Sequence, residues 1–176
     1  IPITAGRDRS IKLLQDANKK GIAIGVVAQL DEDIEEPTFE DLHKTGVVAK
    51  ILKTFKMPDG NTTVIIQGKK RFEMGEIVTE QPFITAVAKD VPDERPAEDD
   101  EEFKALIEKI KELALEIIKE SPNIPTEASF AIKNIESDSF LVNFVSSNLN
   151  LKVAEKQKIL EINDLKERAF ETLRFM

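Results

Sequence analysis

The pattern of apolar and polar residues divides the chain into a strand-rich first part and a helical second part. Residues 46–68 are predicted to form two strands joined by the turn Met57-Pro58-Asp59-Gly60. Proline presets the second position of such a turn, and glycine takes the left-handed conformation that closes a bulged hairpin. We expect the rest of the first part to assemble around this hairpin.

Alternation within the hairpin predicts which side chains share a face of the sheet. With a period of two, one face of the first strand carries Val47, Ala49, Ile51 and Phe55, and the other carries Lys50, Thr54 and Lys56. In the return strand, Val64, Ile65 and Ile66 follow one another without alternation. That run predicts burial on both faces.

The segments around the hairpin supply further strands and one early helix. A helix is predicted over Arg7–Lys19, ended by Gly21, and a central strand over Ile22–Leu30. A short helical turn is predicted within Pro37–Leu42. Two more strands are predicted over Arg71–Thr79 and Phe83–Val91, separated by a turn at Gln81-Pro82. Five or six strands with one helix indicate a compact mixed sheet or half-open barrel.

From about residue 96 the periodicity becomes helical. Apolar residues recur every three or four positions from Phe103 to Ile118, which predicts a long amphipathic helix ended by Ser121-Pro122. Further helices are predicted over Thr126–Lys133 after Pro125, from a cap at Ser137 or Asp138, and over Leu151–Ile162 and Leu165–Leu173. We therefore predict an α+β chain with a β-rich subdomain over residues 1–95 and an α-helical subdomain over residues 96–176.

Charge and composition narrow the possible functions. The 176 residues carry a net charge of −8, with seven acids and no base in residues 31–41 and seven acids and one base in residues 93–102. Such runs are typical of solvated loops, and an acidic chain is a poor ligand for nucleic acid. No apolar stretch is long enough to span a membrane, and the absence of cysteine fits a cytoplasmic location. The lack of an initiator Met and the charged helical ending suggest a piece of a longer protein.

No pattern of catalytic or metal-binding residues is found. His43 is the only histidine, which excludes His-rich metal sites and a Ser-His-Asp triad within this chain, and we expect it at a solvent-facing helix position. Gly68-Lys69 lacks the other residues of a phosphate-binding loop, and residues 31–36 lack the EF-hand pattern. We therefore expect that the function comes from binding, or from a larger protein of which this chain is a part, without a cofactor in this chain.

Three apolar residues at turns are the candidate substrate-binding residues. Phe39 lies in the first acidic run, and Phe55 and Met57 lie at the hairpin tip. One reading is that these side chains fold back onto the core. The other is that they form an exposed patch for unfolded polypeptide, because methionine repacks around varied partners. Acidic surroundings would then favour basic or neutral segments.

An ordered set of short segments resembles the N-terminal domain of bacterial ATP-dependent Lon proteases. The set spans essentially the whole chain: Gly6–Ile11, Val26–Gln29, Pro37–Leu42, the hairpin from Gly46 to Gly60, Gln67–Phe72, Pro82-Phe83, Val145–Leu151, Glu155–Glu161 and Leu165–Arg168. The family's preceding strand, with its Pro-Leu-Arg and Phe-Pro-Gly elements, lies outside this sequence. The pairing of the first sheet edge is therefore left open.

The resemblance implies both a fold and a role. The fold would be a six-stranded, PUA-like β pseudo-barrel followed by a helical bundle. The role would be non-catalytic recognition of unfolded or misfolded proteins, with help in assembling a homo-hexamer whose AAA+ ATPase (with ATP and Mg) and Ser-Lys peptidase modules lie further along the chain. A stand-alone adaptor or ligand-binding protein of the same fold is the alternative. RNA binding is disfavoured by the charge.

Overall fold

The chain forms two compact units. In the computed structural model, residues 1–121, 124–125 and 127–176 are described. The first unit is Ile1–Pro92 and the second is Asp93–Met176. The first contains the β-strands and the second contains helices.

An open antiparallel sheet forms the first unit. The elements in chain order are β1 (Pro2–Ala5), α1 (Asp8–Lys20), β2 (Ile24–Val26), a short 3₁₀ helix (Phe39–Asp41), β3 (Thr45–Lys56), β4 (Thr62–Thr79) and β5 (Thr85–Asp90). The strand order is β1-β4-β3-β2, and β5 also pairs with β4. All of these pairings are antiparallel, so the expectation of a mixed sheet is wrong. The α+β class is confirmed, but the sheet does not close into a barrel.

The central hairpin is confirmed. The Met57 amide donates to the Asn61 carbonyl at 2.9 Å, and the Gly60 amide donates to the Met57 carbonyl at 3.1 Å. Gly60 has φ +88°, a left-handed value that suits glycine. The return strand and the strand predicted separately over Arg71–Thr79 are one continuous strand, β4.

Two register shifts in β3–β4 overturn part of the predicted alternation. The second shift lies between Ile51 and Lys53, where Leu52 is the extra residue. Ile51 pairs with Ile66, whereas Phe55 pairs with Thr63, an odd number of residues away along β4. Because successive side chains of a strand point to opposite faces, Ile51 and Phe55 lie on opposite faces, and the shared face that alternation predicted is wrong.

Burial in β4 also differs from the prediction. Val64 and Ile66 are buried in a cluster with Ala5, Leu14 and Ala49, whereas Ile65 is only half-buried. This part of β4 is therefore covered mainly on one face, by α1 and its neighbours, and not on both.

The predicted central strand over Ile22–Leu30 is wrong in length and position. Only Ile24–Val26 is strand, and β2 lies at the end of the strand order. The following residues bond the segment after the 3₁₀ helix: the Ala28 carbonyl accepts from the His43 amide and the Leu30 amide donates to the Asp41 carbonyl. His43 is half-buried and not helical, so its predicted solvent-facing helix position is also wrong.

The helix and helical turn of this unit are confirmed. Gly21 ends α1 with φ +67°, and its amide bonds the last carbonyls of the helix. The 3₁₀ helix lies in the predicted turn, where Thr38 and Asp41 form reciprocal side chain–backbone capping bonds.

Five α-helices occur in the described part of the second unit: α2 (Glu101–Glu120), α3 (Glu127–Lys133), α4 (Asp138–Asn148), α5 (Val153–Glu161) and α6 (Leu165–Phe175). The predicted helices are confirmed, including the cap at Ser137, whose hydroxyl accepts from the Phe140 amide at 3.3 Å. Pro122 and Thr126, predicted as helix boundaries, lie outside the described residues.

One apolar core and one buried ion pair hold these helices together. The core packs the apolar faces of α2, α3, α4 and α6. Arg168 is buried among them, and its Nη2 donates to Asp93 Oδ1 at 2.5 Å. Asp100 caps α2 and accepts from Lys166 Nζ at 2.8 Å. The interpretation of residues 93–102 as a solvated loop is therefore wrong for Asp93 and Asp100.

Candidate polypeptide-binding surface

The turn at the tip of the β3–β4 hairpin is closed by hydrogen bonds of its own residues. Asp59 accepts hydrogen bonds from the backbone amide of Asn61 at 3.0 Å and from its side-chain Nδ2 at 2.9 Å. These bonds add to the backbone bonds between Met57 and its turn partners. Side chains near the turn are therefore carried by a hydrogen-bonded turn of defined type.

Three apolar side chains near the tip are exposed. Leu52 is 52 % exposed, Phe55 45 % and Met57 43 %. The extra residue Leu52 explains two of these, because it is itself displaced from the ladder and it moves Phe55 to the face opposite Ile51. We call Leu52, Lys53, Phe55, Lys56 and Met57 the tip surface.

Phe39 lies elsewhere in the first unit. It is half-buried against a cluster formed by Leu42, Phe72 and Met74, and Lys44 Nζ lies 3.4 Å from the centroid of its ring. Phe72 pairs with β3 at its beginning, nine residues before Phe55. Phe39 therefore lies near the start of β3, and at about 3.3 Å per residue the strand runs about 30 Å from Gly46 to Phe55. The structure brings Phe55 and Met57 together but not Phe39.

The two regions also differ in charge. The run of acids in residues 31–41 surrounds Phe39, and there the Thr38 hydroxyl and amide, donating to Asp41, hold the pKa of that carboxyl below its usual value. The tip is weakly basic instead: residues 50–64 contain three lysines and a single acid, Asp59.

The lysines of the tip region, Lys50, Lys53 and Lys56, are exposed and have no ion-pair partner among the described residues. The acidic surroundings that were expected to favour basic or neutral segments therefore lie around Phe39 and not at the tip. Charge complementarity there favours neutral or acidic segments.

Sequence reasoning missed several other exposed apolar residues. Leu52 was missed because a bulge has no signature in the local alternation. In the second unit, Phe130, Phe140 and Phe170 are 73 %, 56 % and 59 % exposed. Phe140 follows the helical apolar spacing of α4, so spacing alone does not distinguish it from its buried neighbour Leu141.

The described residues form neither a metal site nor a membrane-spanning helix. Over residues 1–121, 124–125 and 127–176, no cluster of three His, Cys, Asp or Glu side chains is arranged to hold a metal ion. No α-helix in the described part of the chain is both long and apolar enough to span a bilayer.

Comparison with curated sequences gives close relatives over the whole chain. The chain is 65 % identical over 176 residues to the Lon protease of Flavobacterium johnsoniae and 48 % identical over 176 residues to that of Cytophaga hutchinsonii. All of this chain is covered in both comparisons, but it spans only 22 % of the length of each relative. The sequence therefore corresponds to about a fifth of each of these proteases.

Solved structures and a family profile agree with this relationship. The N-terminal domain of the Lon protease from the Mycobacterium avium complex superposes with a TM-score of 0.76 at 21 % identity, covering 99 % of this chain and 89 % of that one. A Lon N-terminal domain protein from Xanthomonas campestris gives 0.64 at 14 % identity, covering 100 % and 89 %. At these identities the likeness shows the fold. The profile of the ATP-dependent protease La (LON) substrate-binding domain matches residues 1–176, so the chain belongs to that family.

Proposed function

We propose that this chain is the non-catalytic substrate-recognition and assembly module of a cytoplasmic, ATP-dependent Lon serine protease that degrades misfolded and regulatory proteins. The match of the substrate-binding profile to the whole chain, which spans 22 % of its relatives, carries this proposal. The ATPase, with ATP and Mg, and the Ser-Lys peptidase would then belong to the rest of the protein. The proposed subdomains over residues 1–95 and 96–176 are supported by the two compact units.

The tip surface is the proposed contact for unfolded substrate. Folded proteins bury most of their large apolar side chains, whereas an unfolded chain exposes them in any order. A shallow patch built from Phe55, Met57 and Leu52 suits such a ligand, because aromatic and methionine side chains give apolar contact without demanding one shape. Phe39 stays a predicted substrate-binding residue, at a separate position.

Weak binding by one module is compatible with this role. Only three apolar side chains are exposed at the tip, so we expect one copy to bind with low affinity. In the homo-hexamer that we propose for the parent protease, several modules would engage one unfolded chain together. Linked sites of this kind raise overall avidity about 10²- to 10⁴-fold without any new contact.

The test measures binding of a fluorescently labelled, unfolded polypeptide to the 176-residue chain by anisotropy. Replacing both Phe55 and Met57 by Ser is expected to weaken binding about thirty-fold, because truncating central apolar anchors costs about 1 kcal/mol or more each. Phe170→Ser together with Val153→Ser is the matched control, since both side chains are similarly exposed but belong to the second unit. A natively folded protein of similar size serves as the negative ligand.

Two results would count against the proposal. An equal loss of affinity in the control variant would mean that the tip is not the contact surface. No binding of any unfolded polypeptide up to millimolar concentration would remove the recognition role and favour assembly alone. The stand-alone adaptor is the weaker alternative, because the relatives are Lon proteases of which this chain spans about a fifth.

A further inference from the structure

The outer edge of β3 is unpaired over its second half. β2 pairs with β3 only at Val47–Ala49, whereas β4 continues along the other side to Lys56. Among the described residues, no strand pairs with the β2 side of β3 beyond Ala49. Seven residues, from Lys50 to Lys56, therefore run along an open edge that ends at the tip surface.

Hydrogen bonds between β1 and β4, together with the alternation along each strand, fix which backbone groups face this edge. Ile1 and Ile66 exchange backbone bonds at 2.8 and 2.9 Å, so Ile66 is directed toward β1. Alternation then directs Thr63 and Ile65 toward β3, together with their partners Phe55 and Lys53. It follows that the N–H and C=O groups of Thr54 and Lys56 point outward from the sheet.

Resting on the function proposed above, we propose that the tip binds an unfolded substrate as an added antiparallel strand on the open edge of β3, and that it selects segments containing acidic residues. The N–H and C=O groups of Thr54 and Lys56 would supply up to four hydrogen bonds, which every sequence except proline can make. The lysine side chains beside the edge would supply the preference for segments that contain acidic residues.

The register of such a strand follows from the pairing rules. Residues opposite Phe55 on the open side fall at a closely spaced, non-hydrogen-bonded position, where an apolar side chain gains most. Residues opposite Lys53 and Lys56 meet ammonium groups that have no ion-pair partner among the described residues. Read from its N-terminus, the preferred segment is therefore acidic, apolar, any residue, acidic.

Charge also argues against a second copy of this chain as the occupant. An antiparallel pair of two such edges would bring Lys53 and Lys56 of each copy toward lysines of the other, which repel. Lysines and a bulge on an exposed edge are the usual protection against self-pairing. An acidic or neutral segment is not repelled in this way. The edge can therefore pair with a strand of another protein but disfavours pairing with a second copy of this chain.

The main test uses the wild-type chain and blocked synthetic peptides with a central Glu-Leu-Thr-Glu. The N–H of the probe's Thr would donate to β3, whereas that of its Leu would point away. N-methylation of the Thr is expected to weaken binding about ten-fold or more, and N-methylation of the Leu by no more than about two-fold. NMR chemical-shift changes of the Thr54 and Lys56 amides on titration show where the peptide binds.

Substitutions in the chain itself complement the modified peptides as a test of the same edge. Thr54→Pro removes the outward N–H without touching the ladder to β4, and should abolish binding, whereas Thr54→Val keeps the N–H and should bind as the wild type does. Lys53→Glu and Lys56→Glu should each lower the affinity for the Glu-Leu-Thr-Glu peptide about three-fold and raise the affinity for a Lys-Leu-Thr-Lys peptide. Lys12→Glu, an exposed position on α1, is the charge control.

The outcomes separate this inference from the function on which it rests. Equal effects of the two N-methyl groups, or wild-type binding by a folded Thr54→Pro variant, would overturn strand addition while leaving recognition of unfolded protein in place. Binding of an unfolded polypeptide but not of the Glu probe would overturn it as well. If neither ligand shifts any amide of the chain, the recognition role and this inference both fail.

Discussion

The ion pair between Arg168 and Asp93 offers the strongest stability prediction for the second unit. The side chain of Arg168 is 1 % exposed and that of Asp93 is 17 % exposed. Arg168 Nη1 also donates to Asn143 Oδ1 at 3.1 Å, Ser139 donates to the other oxygen of Asp93, and Arg168 Nε has no partner. Asp93 supplies the carboxylate that neutralises this buried guanidinium.

Asp93→Ala is therefore expected to destabilise the second unit by about 3–5 kcal/mol. Removing one partner of a buried pair leaves an uncompensated charge, which costs more than the pair itself contributes. That loss is a large part of the roughly 5–15 kcal/mol of a small domain. Replacing both residues, Asp93→Ala with Arg168→Met, should cost much less, because no unpaired charge is left behind.

Urea unfolding followed by circular dichroism at 222 nm measures the effect. The signal reports mainly on the second unit, which holds five of the six α-helices among the described residues. With an m-value of about 1.5 kcal/mol/M, Asp93→Ala should lower the midpoint by about 2 M or more. Lys104→Ala, which removes an exposed pair with Glu101, is the control and should cost at most about 0.5 kcal/mol. An Asp93→Ala loss no larger than this control would refute the reasoning.

Two further predictions concern packing and pH. A Cβ at Gly46 would lie 2.4 Å from the Val26 carbonyl oxygen, so Gly46→Ala should cost about 2–3 kcal/mol in urea unfolding, well above Gly68→Ala, where the close neighbour is a side chain. The hydrogen bond from Lys166 holds the pKa of Asp100 below its usual value, so its stabilising contribution is present above about pH 4 and is lost as pH falls through the folded pKa. Asp100→Asn should flatten that part of a melting temperature–pH profile between about pH 2 and 5.

The helices of the second unit could be predicted because their positions depend on residues that are close together in the sequence. Apolar residues at three- and four-residue spacing located each helix, and the Ser137 cap located the start of α4. The hairpin turn was predictable for the same reason, since proline and Gly60 restrict their own backbone angles. Such features depend on residues a few positions apart.

Features that depend on distant partners were not predictable. The extra residue at Leu52 is defined only by its pairing with β4, and without it alternation assigned Phe55 to the wrong face. Asp93 reads as one acid of an exposed run, and nothing near it in the sequence indicates a partner 75 residues away. Of the tip surface, the sequence indicated Phe55 and Met57 but neither Leu52, whose displacement is defined only by strand pairing, nor the local charge, because the acidic run lies in a different region.

The open edge, the lysines and the ordered turn work together in the proposed binding mode. Asp59 and Asn61 fix the turn before any ligand arrives, so most of the ordering cost falls on the unfolded segment. Backbone bonds from Thr54 and Lys56 accept almost any sequence, and lysines bias the choice without narrowing it to one motif. On this proposal a single edge would bind weakly and release quickly, which would suit an unfolded chain that is passed on to other parts of a protease. Several modules acting on one unfolded chain would raise the affinity, and a natively folded protein, which offers no free extended segment, would not bind.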